Sequence, residues 1–557
     1  MPKITWRVDL VDAHLAAALQ TLRDSLAAGG WVDAGWSGSG STPRPLGDVV
    51  VVWADRPQPD TAALLACGRP LLLAGPTLSR ADPEGLLAEA AGLLPGATTA
   101  LHDVRVRAAE GSPLAQRLLD HAHGGGAHLG EHTHLRERVL LVDKVSDDVQ
   151  PLLEASIGLT THPVATWRAS SGAGVLGLTL GGTPGSVASR GFHRLLVLAL
   201  RRALALEPAP PVRVGLLGYG AIGHEHSRAV QAVAGLRLSA VCDTNPARVS
   251  AATDYAPGAR GHTSPDDLVA DPDVDLVVVS TPPASHAPWA LRLLEAGKHV
   301  VVEKPFSITT AEADQVLGLA AERGLLACVY QNRRFDPDYL ALRRAVRDGR
   351  IGTPFQVEAF VGGFGHPCNL WHSDEGVSGG AYYDWGAHVL DQVLDLVPGP
   401  VEHVTAATHK LRWHDVTNAD HSRVTLRFTD GTEAEFVYSD LAAALKPRWY
   451  VLGTEGAVVG RWRTEKVVSR NDIGTLAEDV MAPADSPPLM ELHHGDGSVT
   501  SMATPEGDLH PFHTQLADLL QLGLPMGVTG AQSRRVLAVM EAARESASRG
   551  GVPVVPR

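Results

Sequence analysis

Hydrophobic and polar positions follow three successive rhythms along this chain. Through residues 1–206, short apolar runs alternate with helical stretches. Asp48-Val-Val-Val-Val-Trp53 and Pro70-Leu-Leu-Leu-Ala74 predict buried strands, being apolar runs bounded by turn residues. Residues 13–28 and 81–93 predict helices. Gly174-Val-Leu-Gly-Leu-Thr-Leu180 predicts a last strand before an apolar helix around 191–206. Such alternation predicts an α/β layer fold. The Pro-rich stretch 207–211 cannot continue a helix and marks a linker.

A denser βα winding begins at Pro211. Residues 212–217, 238–243, 274–280, 299–303 and 325–330 predict strands, with helices between them. Gly297 and Gly324 stand where left-handed helix caps are expected. Thr309 with Glu312, and Ser264 with Asp267, have capping-box spacing. Repeated βα units imply a parallel sheet with right-handed crossovers. From 354 onward strands dominate, at 355–361, 401–411, 422–428, 433–438 and 448–453. Asp430-Gly431 forms a hairpin turn between two of them. Helices at 381–396 and 530–548 complete an α+β domain with a predominantly antiparallel open sheet. The expected domains are 1–206, a linker at 207–211, a nucleotide-binding domain at 212–331 and a substrate and oligomerisation domain at 332–557.

At 557 residues the chain is too long for one ordinary domain, in agreement with this division. The net charge of −14 speaks against a nucleic-acid partner. Cys67, Cys242, Cys328 and Cys368 are widely separated, without the paired spacing of a zinc knuckle. No metal site is assigned. No apolar run approaches the ~20 residues of a membrane span, and no signal peptide is visible, so a cytoplasmic protein is expected.

Gly218-Tyr219-Gly220-Ala221-Ile222-Gly223 is a GxGxxG turn between a strand and a helix, the setting in which that motif binds a dinucleotide. Gly218 permits the tight turn, Gly220 admits the pyrophosphate and Gly223 lets helix and strand pack closely. The helix N-terminus offers free N–H groups to the phosphates. Asp243, 20 residues after Gly223, can accept both ribose hydroxyls and repel a 2′-phosphate. This favours NAD over NADP, although Arg248 is near. Lys304 follows a buried strand at the carboxyl end of the sheet, where ligands bind. Asp384 and His388 are four residues apart on one helix face, a spacing that suits an oriented base. Asp391 follows on the same side.

Together, the glycine turn, Thr281-Pro282-Pro283 with His286, Glu303-Lys304-Pro305, Asn332-Arg-Arg-Phe335 and Gly379-Gly-Ala-Tyr-Tyr-Asp384-Trp-Gly-Ala-His388 resemble the Gfo/Idh/MocA family of sugar and polyol oxidoreductases over 211–557. The resemblance implies NAD-dependent oxidation of a secondary alcohol, with Lys304, Asp384 and His388 as the catalytic group and a cis Lys304–Pro305 bond. It leaves open whether Lys304 or His388 takes the proton. Thr281, Pro282, His286, Glu303, Lys304 and Asn332 are expected around the cofactor. Lys304, Arg334, Trp371, His372, Asp384 and His388 are expected around the substrate. Alternatives stand beside several of these: His286 as a helix-start residue, Trp371 and His372 as loop packing, Asn332 and Arg334 as domain-junction residues.

Residues 45–206 resemble a ThuA-like domain with a glutamine-amidotransferase-like α/β fold, through Thr161-His162-Pro163-Val164-Ala-Thr-Trp167, Gly172–Gly174 and Leu178–Gly181. Gly181-Gly182 stands where that family often has Gly-His. No Gly-x-Cys-x-Gly elbow is present, Cys67 lying in Ala-Cys-Gly-Arg, which argues against amidotransferase chemistry. His121, His123, His128, His132 and His134 cluster around Gly124–Gly126, either as a surface loop or as ligands. The two resemblances together imply successive steps on one oxidised glycoside. A lyase- or hydrolase-like enzyme recycling bound NAD, and a non-catalytic sugar or nucleotide sensor, are the competing readings. A small-molecule sugar or polyol partner and a homo-oligomer, dimer or tetramer, are expected.

Overall fold

A computed structural model of the 557-residue chain describes every residue except 1, 38–46, 59–60, 80–81, 83, 113–132, 170–172, 207–208, 368–370, 463, 472–473, 482–488 and 505–509. The histidines His121, His123, His128 and His132, with Gly172, Cys368 and the first two linker residues, lie outside this set. His134 falls on strand Thr133–Glu137. The chain forms two compact units. One comprises 1–212, 231–236 and 513–526; the other comprises 213–230, 237–512 and 527–557.

The first unit is built on a nine-stranded mixed sheet in the order 32–37, 3–9, 49–54, 71–74, 175–178, 160–168, 149–157, 102–108, 133–137. The first five strands pair parallel, the rest antiparallel. Val49–Ala54 and Leu71–Ala74 are buried at every position, as their continuous apolar runs require. Helix Ala13–Ala28 is capped by the Asp12 side chain. The predicted helix over 81–93 contracts to Leu86–Ala90, Gly85 being left-handed and Gly92 likewise at its end. The antiparallel half escaped the sequence reading because its strands mix polar and apolar residues without a long run. Residues 513–526 belong to this unit. Leu522 and Leu524 join its core, and Asp518 is held by Arg190 at 3.2 Å and Arg194 at 3.1 Å.

In the second unit, six strands are ordered 260–262, 236–242, 212–217, 276–279, 299–302, 327–329, with the registered pairs parallel. This is a Rossmann order, whose ligand crevice lies at the carboxyl ends of the strands. Gly324 ends helix Thr310–Arg323 in the left-handed conformation, and the Thr309–Glu312 capping box is formed. Ser264 makes no such bond. Its helix, Pro265–Ala270, starts instead on Pro265, with Asp266 and Asp267 in the first turn. An eight-stranded sheet follows, ordered 401–409, 421–428, 433–439, 354–362, 449–453, 456–461, 489–494, 499–501. Of its registered pairs only Pro354–Gly362 with Glu433–Ser439, the fourth and third strands, is parallel. Helices Ala381–Leu396 and Gly530–Ser548 pack within one core with this sheet. Among the described residues no helix is long and apolar enough to cross a membrane.

Candidate active site

The glycine turn shows three distinct constraints. Gly218 has φ +95°, and a Cβ there would sit 2.6 Å from the Ser280 carbonyl oxygen. A Cβ on Gly223 would meet the Gly218 carbonyl oxygen at 2.5 Å. Around Gly220 a Cβ would meet nothing within 4 Å. Two glycines are therefore fixed by backbone approach, and the third borders open space at the start of helix Ala221–Ala232. That space suits a pyrophosphate, so the residues fit a dinucleotide. Tyr219 is buried and Ile222 exposed. Asp243 follows strand Leu236–Cys242. Its carboxylate accepts the Tyr219 and Asn245 backbone N–H groups, each at 2.8 Å, and Arg248 Nη1 stands 3.5 Å away.

Three of the expected cofactor contacts have protein partners. His286 is buried, with Nδ1 2.7 Å from the Pro305 oxygen and Nε2 2.6 Å from the Thr281 oxygen. Burial keeps the ring neutral, so it donates to one of these two carbonyl oxygens. Glu303 accepts from the Lys304 N–H at 3.0 Å and faces His226 Nε2 at 2.9 Å, leaving neither oxygen free of a protein partner. Thr281 receives the Ser285 hydroxyl at 2.8 Å. Pro282 begins the short turn after it, and Asn332 is half-buried at the start of turn Asn332–Phe335.

Lys304 leaves strand His299–Val302 and precedes the cis bond to Pro305. Its Nζ donates to Asp384 Oδ1 at 2.6 Å. Asp384 lies in the first turn of helix Ala381–Leu396, which starts after Gly380 at φ +97°. Burial alone would raise the Asp384 carboxyl, but the adjacent ammonium holds it below the usual carboxylate range. His388 is one turn further on and buried, with Nδ1 lacking any partner. The expectation that Asp384 orients His388 is thus corrected: the carboxylate is engaged by Lys304 across 80 residues of sequence. Burial, with Lys304, Arg333 and Arg448 nearby, pushes the imidazole well below its ordinary value, so it is neutral near pH 7.

Arg334 is not available to a substrate. It is 4% exposed, bidentate to Asp391 at 2.5 and 2.6 Å, and its remaining nitrogen donates to the Gly527 oxygen and Gln532. Burial of a cation demanded those partners. Its neighbour Arg333 pairs with Asp336 at 3.3 Å. The Arg333 guanidinium stacks 4.5 Å over Trp385, and its charge reaches Asp384 and His388. Trp371 stacks on His372 at 3.7 Å, and burial, with the Lys304 ammonium adding to it and Asp384 opposing it, lowers the His372 imidazole.

Four further residues escaped the sequence reading. Gln331 donates to the Ala387 oxygen at 3.1 Å and ties the turn to the Asp384 helix. Asp440 accepts the Tyr438 hydroxyl at 2.8 Å, and burial together with Asp420 and Asp384 pushes it up to about 6. Arg448 lies between Trp449 and Trp462 and falls to about 10 through burial. His226 backs Glu303. Asp440, Arg448 and Gln331 carry no local motif, whereas His226, three residues beyond Gly223, was visible beside the glycine turn. Among the described residues no group of three or more His, Cys, Asp or Glu could hold a metal ion.

In the first unit, strand Thr160–Arg168 carries His162, Pro163 and Trp167. At Gly181-Gly182 the two backbone N–H groups donate to buried Glu137, at 2.7 and 3.1 Å. Cys67 is partly exposed, with its thiol toward the Arg69 oxygen.

A doubly wound nucleotide fold carrying a lysine–aspartate pair at the carboxyl edge of its sheet defines an oxidoreductase class. Residues 212–331 match the oxidoreductase family with an NAD-binding Rossmann fold, and residues 339–459 match the GFO/IDH/MocA C-terminal domain. The chain is 34% identical to inositol 2-dehydrogenase of Rhizobium meliloti over 251 residues, 44% of this chain and 74% of that protein. It is 26% identical to the scyllo-inositol 2-dehydrogenase (NADP(+)) IolW of Bacillus subtilis, over 60% of this chain and 93% of that one. The crystal structure of an NAD-binding protein from Listeria innocua superimposes with TM-score 0.53 and 27% identity, covering 62% of this chain and 96% of that chain. The chain belongs to the Gfo/Idh/MocA oxidoreductase family.

Proposed function

We propose that this oxidoreductase uses NAD to oxidise a secondary alcohol of a sugar, polyol or glycoside. The observation that carries the reading is the Lys304–Asp384 pair beside a neutral His388, in the unit that bears the open glycine turn. NAD, once held by residues 218–223 and Asp243, supplies the hydride acceptor. Lys304 Nζ donates to the substrate oxygen and stabilises negative charge as it develops there. Asp384 keeps that ammonium in place. With NAD bound to take the hydride from the alcohol carbon, the neutral His388 imidazole would accept the hydroxyl proton, leaving a ketone. Burial and the cations around His388 make its protonated form a strong acid that gives the proton up again. Trp371 and His372 border the sugar.

The names of the inositol dehydrogenase relatives support a cyclic polyol or sugar as substrate. The Asp243 carboxylate, which would repel a 2′-phosphate, supports NAD ahead of NADP. We also assign residues 1–206 a ThuA-like role on the keto product, on the strength of the parallel half-sheet and the Thr161–Trp167 strand.

The test is a screen of inositols, sugars and glycosides followed by NADH absorbance. Lys304→Ala and His388→Ala should each lower turnover by roughly 10²–10⁴-fold, with NAD affinity little changed. Near-normal turnover in the Lys304 variant would overturn the assignment.

A further inference from the structure

Lys304 is a long, flexible side chain, and the direction in which it leaves the sheet is set by the backbone at residues 303–305. That backbone is gripped by two buried histidines. On one side the His286 ring nitrogens lie 2.6 and 2.7 Å from the Thr281 and Pro305 carbonyl oxygens, to one of which the neutral imidazole donates. On the other, Glu303 Oε2 accepts the Lys304 N–H at 3.0 Å, while Oε1 faces His226 Nε2 at 2.9 Å. Glu303 is 6% and His226 1% exposed. His226 lies on helix Ala221–Ala232, the helix that starts at the glycine turn. Its ring packs 4.4 Å from Tyr330, just past strand Ala327–Val329, and Tyr330 packs edge-on against Phe512 at 4.9 Å.

We propose that Glu303 and His226 are positioning residues. Glu303 fixes the Lys304 backbone through its N–H, and His226 fixes Glu303, so that the helix opening at the dinucleotide turn determines where the lysine ammonium lies. The proposal deepens the reading of Lys304 as catalytic and rests on it. The chemistry of the pair supports the role. A buried carboxylate must be hydrogen-bonded, and this one takes its donors from the reactive residue's own backbone and from the nucleotide helix. The Lys304 ammonium itself donates to Asp384. Loss of His226 would therefore leave Lys304 present but mobile.

The experiment labels lysines of the full chain with acetic anhydride, in the absence of substrate, and follows Lys304 and Lys410 by mass spectrometry. Lys410 is paired with Asp420 at 2.9 Å and serves as the internal reference. His226→Leu should raise the Lys304 labelling rate several-fold, up to about tenfold, the equivalent of one lost hydrogen bond, with Lys410 unchanged. His226→Gln, which keeps an N–H donor, should restore most of the protection. Glu303→Gln serves as a second variant if His226→Leu does not fold. With any substrate found by the NADH screen, His226→Leu should lower kcat about tenfold while NAD affinity and KM hold. Unchanged Lys304 labelling in His226→Leu and Glu303→Gln overturns the proposal, as does a parallel rise at Lys410. A Lys304→Ala variant that turns over normally, with labelling behaving as expected, overturns the catalytic reading and leaves the positioning role standing.

Discussion

Replacing Asp384 with Asn tests which partner the carboxylate serves. Lys304 Nζ lies 2.6 Å from Asp384 Oδ1, and the two side chains are 21% and 35% exposed. A charge-assisted hydrogen bond contributes about 1.5–3 kcal/mol net, and partial exposure places this one toward the lower end. At about 1.4 kcal/mol per decade, Asp384→Asn should lower kcat/KM roughly 10- to 100-fold. The carboxyl is held below its unfolded value, so the pair is complete above about pH 4 and is lost as pH falls through the folded value. Kinetics near neutral pH therefore probe the intact pair. The decisive assay is a pair of double-mutant cycles read by NADH absorbance. Lys304→Ala with Asp384→Asn should be strongly non-additive, by about 1.5 kcal/mol or more. Asp384→Asn with His388→Ala should add within about 0.5 kcal/mol. Stronger coupling of Asp384 to His388 than to Lys304 would refute the reasoning and restore the pairing that helical spacing suggests.

Burial, countered by Arg333, pushes Asp336 up to about 7 from 3.8. The folded chain then holds more protons than the unfolded one across that window, so stability should fall as pH rises through it. At ~1.36 kcal/mol per unit the effect is at most about 4 kcal/mol. Asp336→Asn should remove this slope in urea unfolding between pH 4 and 8, and an unchanged slope contradicts it. Calorimetry should show NAD bound more tightly than NADP, with Asp243→Ala narrowing the gap and Arg248→Ala weakening NADP selectively; tighter NADP binding by the parent chain sinks this. The outer face of the eight-stranded sheet, where Glu358, Glu435 and Tyr450 lie side by side across three strands, should form a homo-oligomer interface. Light scattering should then report more than a monomer at micromolar concentration, and a monomer excludes it.

The second unit was largely legible because its signals are local. The glycine turn, the caps at Thr309 and Gly324 and the hairpin at Asp430-Gly431 depend on neighbours within a few residues. Helix Ala381–Leu396 follows from its apolar period. The pairings within the site are not local. Spacing placed Asp384 and His388 on one face, but could not show that a lysine arriving from a strand 80 residues earlier takes the carboxylate. The Asn332–Phe335 motif offered two adjacent arginines, and only the packing shows that Arg334 takes buried Asp391 and partly buried Asp395 while Arg333 pairs with Asp336. His286 and Glu303 were recognised as belonging to the site. Their approaches to the Thr281 and Pro305 carbonyls and to the Lys304 N–H depend on backbone groups that side-chain identity does not reveal.

The discontinuity of the first unit bears on how the chain is made. Its residues up to Val212 leave the ribosome first, yet the segment that brings Leu522, Leu524 and Asp518 begins only at His513, about 300 residues later. At roughly 5–20 residues per second, that is about 15–60 s of synthesis. During this interval Arg190 and Arg194 on helix Arg190–Ala203 lack Asp518, and the apolar positions that meet Leu522 and Leu524 are uncovered. The nascent N-terminal part must therefore wait, incomplete, while the nucleotide fold is synthesised behind it. Completion comes from the last tenth of the chain, so a ribosome that stalls before residue 513 releases a first unit without its closing segment.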